Sequence, residues 1–307
     1  MRTAFIETLV SLAENDPDIW LLNADLGFSV LEAFRDRFPD RYVNVGVAEQ
    51  NMIGVAAGLA LSGCKVFVYS IANFPTQRCL EQLRVDVCYH RAHVVVCAVG
   101  GGFSYGAQGY THHAIEDLSV MRSLPGMTVT APSDPTEVRA LVKHLVANDG
   151  PGYIRLGRAG DKILHDGTLA VMPTAPFVMR DGRDVAIITT GSILGEALAA
   201  TTRLAEAGVS SRIISAPMLK PFAETMFCDL VTDFDVVISV EEHALIGGLR
   251  DTLAPLFASR RVPGRLVSLG VGDMATFGVI KGEQAMRRHC GIDADSIVQT
   301  VRRELGC

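Results

Sequence analysis

The sequence has little cysteine, and what it has follows no pattern. Seven occur among 307 residues, an odd number, and no two are spaced C-x-x-C. That excludes a disulfide framework, and Cys64 and Cys97, lying in apolar stretches, read as small core residues in a reducing cytoplasm. Charged residues make up only 20%, no lysine–arginine run occurs, and the net charge is −6. A nucleic-acid surface is therefore not expected. No run of about 18 apolar residues is present, so no membrane span is expected. The first ten residues include Arg2 and Glu7 and hold no long apolar core, so no secretory leader is expected either. Metal-ligand spacing is also missing: His112 and His113 are adjacent, and adjacent side chains diverge.

Apolar residues, by contrast, are abundant. They form 49% of the chain, enough for two ordinary domains. The positive mean hydropathy suggests more apolar surface than one monomer needs, and so an oligomer interface. Short apolar strands alternate with helical patterns of 10–15 residues along the chain. Strands are expected at 19–23, 42–45, 65–70, 93–99, 128–131 and 152–156, and again at 185–189, 211–215, 236–240 and 266–269. Helices are expected at 3–14, 30–37, 75–90, 114–123, 135–147, 195–207, 223–232 and 293–305. This alternation predicts an α/β protein of two doubly wound domains with mostly parallel sheets. A change of character after residue 166, with Asp-Gly and prolines, predicts domains at 1–168 and 184–307 joined by a linker or edge segment at 169–183.

One stretch organises the rest, Asn44 through Gly63. It reads as a strand end, a short turn and a helix from Ala48 to Ser62. Met52, Ile53, Ala56 and Leu59 supply an apolar face. Gly54, Ala57, Gly58 and Ala60 keep another face small, open to close approach by a strand or second helix. Gly63 marks the stop. Glu49 is the one charged residue of the helix and sits in its first turn, where by itself it would be a carboxylate favoured by the helix dipole. The whole string, however, closely resembles the G-x-A-E-Q-x-x-x-G-x-A-x-G-x-A-x-x-G segment of the transketolase family and of its relative deoxyxylulose-phosphate synthase. The resemblance implies thiamine diphosphate as cofactor, with Glu49 hydrogen-bonded to its aminopyrimidine ring. A glutamate in an apolar pocket formed by Val47, Ala48, Met52 and Ile53, its pKa raised by desolvation, suits that task.

Other segments carry the resemblance further. Tyr69-Ser-Ile-Ala-Asn-Phe-Pro-Thr-Gln-Arg78 resembles the family's Y/F-x-x-F-x-x-R segment with about two residues inserted. It implies cofactor contacts from Tyr69, Phe74 and Arg78, one ring stacking on the pyrimidine, with Phe74 favoured. Gly106-Ala-Gln-Gly-Tyr-Thr-His-His113 resembles G-x-D-G-P-T-H-Q, so His112 is the expected catalytic histidine near the reacting carbon. Gln108 stands where the family has an aspartate that reads sugar hydroxyls, and Tyr110 replaces the proline; a neutral amide accepts without full charge. Ser29 and Arg158 fall at phosphate-binding places of the family. Arg2 does too, but reads as a surface residue. The family's phosphate-side histidine falls on Gly100, which cannot serve. The Gly100-Gly-Gly run is no phosphate loop and is expected to admit cofactor or partner close to the backbone. Val240-Glu-Glu-His-Ala-Leu-Ile-Gly-Gly-Leu249 resembles the family's C-terminal-domain signature. There Glu241, Glu242 and His243 are left outside the catalytic set.

The G-D-G…N-N signature that holds the diphosphate through Mg²⁺ has no counterpart here; Gly272-Asp-Met is the nearest string. The resemblance thus covers the pyrimidine-binding and C-terminal parts alone. It implies the second subunit of a split transketolase, a two-carbon ketol transferase whose partner subunit supplies the diphosphate and Mg²⁺ site in an α2β2 assembly. The β subunit of a 2-oxoacid dehydrogenase, a deoxyxylulose-phosphate-synthase-like enzyme and a cofactor-free module are the alternatives. The T-H-H loop and the V-E-E-H string look closer to transketolase.

Overall fold

A computed structural model describes residues 1–158, 160, 162–165, 169 and 173–307. The first half runs α1 (Arg2–Ala13), β1 (Ile19–Asn23), α2 (Glu32–Arg37), β2 (Tyr42–Asn44), α3 (Glu49–Leu61), β3 (Lys65–Ile71), α4 (Asn73–Thr76), α5 (Leu80–Gln82), β4 (Val94–Val99), α6 (Asp117–Ser123), β5 (Thr128–Thr130), α7 (Pro135–Ala147) and β6 (Gly152–Leu156). The second half follows as β7 (Phe177–Arg180), β8 (Val185–Thr190), α8 (Leu194–Glu206), β9 (Ser211–Ser215), β10 (Met218–Lys220), α9 (Glu224–Val231), β11 (Val236–Ala244), α10 (Leu249–Ala258), β12 (Arg265–Val271), α11 (Glu283–His289) and α12 (Ala294–Leu305).

Two mostly parallel sheets result. The larger has the order β10-β5-β6-β4-β3-β1-β2 and the smaller β12-β11-β8-β9-β7. Only the edge strands β10 and β7 run antiparallel. The central strands β4 and β8 are buried throughout, as sheets covered by helices on both faces require. Met52, Ile53 and Ala56 of α3 pack with Val66 and Val68 on one face of the large sheet. Phe5 and Leu9 of α1 pack with Phe67 and Tyr69 on the other. The alternation of side chains along β3 makes that division. Helix α7 opens as its sequence prescribes: Asp134 Oδ1 accepts from the backbone N–H of Thr136 at 2.8 Å and of Glu137 at 3.0 Å, with Pro135 in the first position.

Several expectations change on contact with the structure. Residues 177–180, read as linker, form edge strand β7 of the second sheet; residues 166–168 and 170–172 of that stretch lie outside the described residues. The single helix expected at 75–90 is broken. It comprises α4, α5 and a wide π-type turn over Leu83–Tyr89. At the break the Arg78 carbonyl accepts from Gln50 Nε2 at 3.2 Å, so a group freed from helical bonding is satisfied by α3. Strand β10 and helix α11 carry no periodic signal and are not among the expected elements. β10 crosses from the second half of the chain to extend the first sheet, Met218 pairing with Thr130. The small-residue face of α3 divides: Ala57 is buried in the core and Ala60 packs against it, while a Cβ added at Gly54 or Gly58 would meet none of the described residues.

Candidate active site

Glu49 opens α3 and is 2% exposed. It does not lie in a purely apolar pocket. Val47 points outward, 77% exposed, and Arg78 reaches back across the helix break so that its Nη1 donates to Glu49 Oε2 at 2.7 Å. The other carboxylate oxygen receives no hydrogen bond among the described residues. The break between α4 and α5 is what turns Arg78 toward α3.

From this ion pair a string of flat groups runs along the surface. The Arg78 guanidinium lies 4.7 Å from the Phe74 ring centroid. The Phe74 ring meets His112 edge-on at 5.6 Å. His112 meets Tyr105 at 5.9 Å, and Arg158 lies 5.4 Å from the Tyr105 centroid. Glu49, Arg78, Phe74, His112 and Arg158, spread over more than a hundred residues of sequence, therefore line one continuous surface. The His112 loop is pinned there. Asn73 Nδ2 donates to the carbonyl of His113 at 2.9 Å, and Gly102 and Ala114 exchange backbone hydrogen bonds of 2.8 and 3.0 Å that close the loop's base. His112 and His113 diverge: His112 is half-buried, with Nδ1 2.9 Å from Thr111 Oγ1, whereas His113 is fully buried, with Nε2 2.8 Å from the Gly106 carbonyl.

The two aromatic candidates part company. Tyr69 is 2% exposed on the sheet face away from α3, its ring stacked on Phe5 at 5.9 Å. Burial holds its hydroxyl well above the ordinary tyrosine pKa, with the Arg2 guanidinium opposing that shift. Phe74 is the half-exposed aromatic on the Glu49 side. Ser29 and Gln108 are exposed, and the Gln108 backbone N–H donates to the Tyr105 carbonyl at 2.9 Å. Ser29, at φ +61°, donates its N–H to Glu32 Oε1 at 2.9 Å. Arg2, expected at the surface, is half-buried and lines a cavity of about 260 Å³ with Gly27, Phe28, Tyr69 and Tyr105.

The triple-glycine run does not face an incoming ligand. A Cβ on Gly100 would overlap the Tyr105 ring, one on Gly101 the Arg155 side chain, and one on Gly102 the Glu242 carboxylate. The space is filled by this chain's own residues, which belong to a buried polar network that sequence reasoning missed. Arg155 Nε sits 3.0 Å from Asp117 Oδ2, and Arg155 Nη2 donates to the Glu242 carbonyl at 3.0 Å. Glu242 Oε1 accepts from the Phe103 N–H at 2.5 Å, and its Oε2 from Arg287 Nε at 2.7 Å. The run of three consecutive glycines, two of them facing Arg155 and Glu242, is the sequence signal for it. Glu241 accepts from the first N–H groups of α10, Leu249 at 2.6 Å and Arg250 at 2.9 Å. Burial nevertheless pushes its pKa up to about 7, and the same cause pushes His243 down to about 4. His243 Nε2 accepts from the Ser119 N–H at 3.3 Å. All three residues of the Glu241-Glu242-His243 string thus bind the two halves of the chain together or cap a helix.

Two α/β domains share a core, and a buried glutamate at a helix head stands beside a half-exposed phenylalanine and a loop histidine. Comparison with known proteins gives the family. The family described as "Transketolase, pyrimidine binding domain" matches residues 1–160, and "Transketolase, C-terminal domain" matches residues 177–297. The chain belongs to the transketolase family and carries these two of its domains. It is 35% identical over 299 residues to one subunit of the apulose-4-phosphate transketolase of Actinobacillus succinogenes, covering 97% of this chain and 96% of that one. It is 36% identical over 298 residues to 1-deoxy-D-xylulose-5-phosphate synthase 1 of Geobacter sulfurreducens, but spans only 46% of that protein. Among solved structures, the one described as "Split gene transketolase, inactive beta4 tetramer" superposes with a TM-score of 0.88 at 35% identity, covering 99% of this chain and 97% of that one. Among the described residues no helix is long and apolar enough to cross a membrane, and no group of three His, Cys, Asp or Glu is placed to hold a metal ion.

Proposed function

We propose that this chain is the pyrimidine-side subunit of a two-chain, thiamine-diphosphate-dependent transketolase, which moves a two-carbon ketol unit from a ketose phosphate to an aldehyde. The observation that carries the reading is Glu49: a carboxylate buried at the head of α3, with one oxygen taken by Arg78 and the other without a hydrogen bond, at one end of a surface that continues through Phe74 to His112. That donor set fits an aminopyrimidine. Glu49 would hydrogen-bond its ring nitrogen, Phe74 would cover its face, and Arg78 would hold the other Glu49 oxygen in place. When bound, thiamine diphosphate supplies a nucleophilic carbon that adds to a ketone and releases an aldehyde. His112, carried on the Asn73-anchored loop, holds a substrate hydroxyl or carbonyl oxygen. Arg158 and Ser29 serve the anionic end of the sugar, and Gln108 a hydroxyl.

The diphosphate and Mg²⁺ are assigned to a partner subunit in an α2β2 assembly, because this sequence lacks the G-D-G signature. The near-complete mutual coverage with a relative named as one subunit of a transketolase supports this reading over a synthase, whose single chain is about twice as long. A cytoplasmic setting agrees with seven unpaired cysteines.

The test is co-purification with the diphosphate-binding subunit and assay of ketol transfer from several ketose phosphates with and without thiamine diphosphate. The lone chain should be inactive and the complex active. In the complex, Glu49→Gln should cut turnover by about 10²–10⁴-fold, the usual size of a lost acid–base contribution, without changing the unfolding midpoint by more than a few degrees. Ketol transfer by the lone chain, or an undiminished Glu49→Gln complex, would refute the reading.

A further inference from the structure

Gly100 occupies the place of a phosphate-side histidine, and the structure shows what fills the space instead. Gly100 has φ +83°, and any side chain there would enter the ring of Tyr105. Glycine is thus demanded twice, by the left-handed backbone and by the ring packed against it. That ring is half-buried, edge-on to His112 at 5.9 Å and 5.4 Å from the Arg158 guanidinium. It forms one wall of the 260 Å³ cavity that Arg2 also lines.

The Tyr105 hydroxyl makes no hydrogen bond among the described residues, although most of the ring is enclosed. Burial raises its pKa, while Arg2 and Arg158 both oppose that shift, which places two guanidinium groups within electrostatic reach of one phenol. A neutral phenol that stays protonated is a donor, and two arginines are the residues suited to a tetrahedral oxyanion. No carboxylate lines this cavity, which Arg2 enters, whereas Arg158 reaches the Tyr105 ring from a neighbouring cavity of about 310 Å³ that Arg2, Arg139 and Glu7 also line.

We propose that Tyr105 is a specificity-determining residue, whose hydroxyl donates a hydrogen bond to the terminal phosphate of the sugar substrate between Arg158 and Arg2. The Gly100–Tyr105 pair then supplies from the far side of the loop the contact that a side chain at position 100 would otherwise make. Because the ring also touches His112, the phosphate and the reacting end of the sugar are read by one connected surface. This inference rests on the transketolase reading above and adds the residue that selects a phosphorylated sugar.

The decisive variant is Tyr105→Phe in the complex with the partner subunit. It keeps the ring against Gly100 and removes only the donor. With a phosphorylated ketose, KM should rise about tenfold with kcat within twofold of wild type. With an unphosphorylated ketose neither constant should change by more than twofold. The inhibition constant of inorganic phosphate should rise with the KM. Equal losses on both substrates, or no loss on either, would overturn the proposal. Should the wild-type complex transfer no ketol unit, the transketolase reading fails on its own. Calorimetric titration of the complex with inorganic phosphate then still decides the role of Tyr105: weaker binding by Tyr105→Phe supports it, and equal binding overturns it.

Discussion

Arg78 Nη1 stands 2.7 Å from Glu49 Oε2, and the same guanidinium lies 4.7 Å from the Phe74 ring centroid. A planar, cationic N–H donor thus touches both the carboxylate and the aromatic ring that a heterocyclic cofactor would use. The carboxylate is 2% exposed and the arginine about half exposed, at 49%. The pair is therefore buried at one end only, and water screens the other.

Removing Arg78 leaves a buried carboxylate with no cation. Arg78→Ala should destabilise the chain by about 1–2 kcal/mol, below the 3–5 kcal/mol typical of a fully buried broken pair because the guanidinium is half solvated. Glu49→Gln with Arg78→Ala should recover most of that loss. Urea unfolding of the four proteins in the double-mutant cycle measures it, and strict additivity of the two single effects would argue against a working pair.

Glu242 accepts from Phe103 and Arg287, which belong to different halves of the chain. Glu242→Ala leaves the buried Phe103 N–H unpaired and takes one carboxylate from Arg287, which keeps Glu283 at 2.7 Å and Glu196 at 3.4 Å. A loss of about 1–3 kcal/mol is expected, with faster proteolytic cleavage in the loop around residues 103–112. Glu242→Gln keeps an acceptor for Phe103 and should lose less. Denaturant unfolding with timed proteolysis separates the two variants.

His243 is held at about 4 in the folded chain, below its ordinary 6.5, chiefly by burial. A base with a depressed folded pKa supports folding above its unfolded value, and that support is lost as pH falls from about 6.5 to 4. At roughly 1.4 kcal/mol per unit, the loss is about 3 kcal/mol. Glu241 titrates oppositely. Its folded pKa of about 7 exceeds the ordinary 4.5, so it lends stability at low pH that fades as pH rises from about 4.5 to 7. Asp117 favours and Arg155 disfavours a charge on His243. His243→Gln should therefore flatten the acid side of the stability profile, and Glu241→Gln should steepen it. Unfolding midpoints between pH 4 and 8 show both.

The outer face of α3 exposes Gly54, Val55, Gly58 and Leu61. Gly58→Arg should raise the intrinsic helix propensity by about 1 kcal/mol and leave the lone chain folded. A partner subunit seated on this small-residue face would be excluded by the arginine, so the same change should prevent association. Size-exclusion chromatography of the mixed subunits shows it, and unimpaired assembly would place the interface elsewhere.

Local pattern carries much of the architecture. Helix α3 is expected at 48–62 and spans Glu49–Leu61; α7 is expected at 135–147 and occupies that range, because its cap, proline and apolar spacing all lie within a few residues of one another. Buried parallel strands such as β4 are legible as uninterrupted apolar runs. Strand β10 is not, since three residues have no period and its partner β5 lies about ninety residues away. The broken helix after β3 escapes the pattern because Leu80, Leu83 and Val87 keep a helical apolar spacing straight after the break, which itself carries no glycine or proline.

The site divides along the same line. Glu49, Phe74 and His112 can be named from motifs, because a motif records which residue types stand at which intervals. Which side chains meet them cannot. Arg78 closing on Glu49 and Glu242 holding the loop at Phe103 depend on contacts between segments far apart in the chain, and Tyr105 filling the place above Gly100 depends on how the loop between them folds. Residue order by itself determined the alternation of strands and helices and the residues that could do chemistry. Tertiary packing decided which of them touch, because burial and charge pairing act across space and have no period along the sequence.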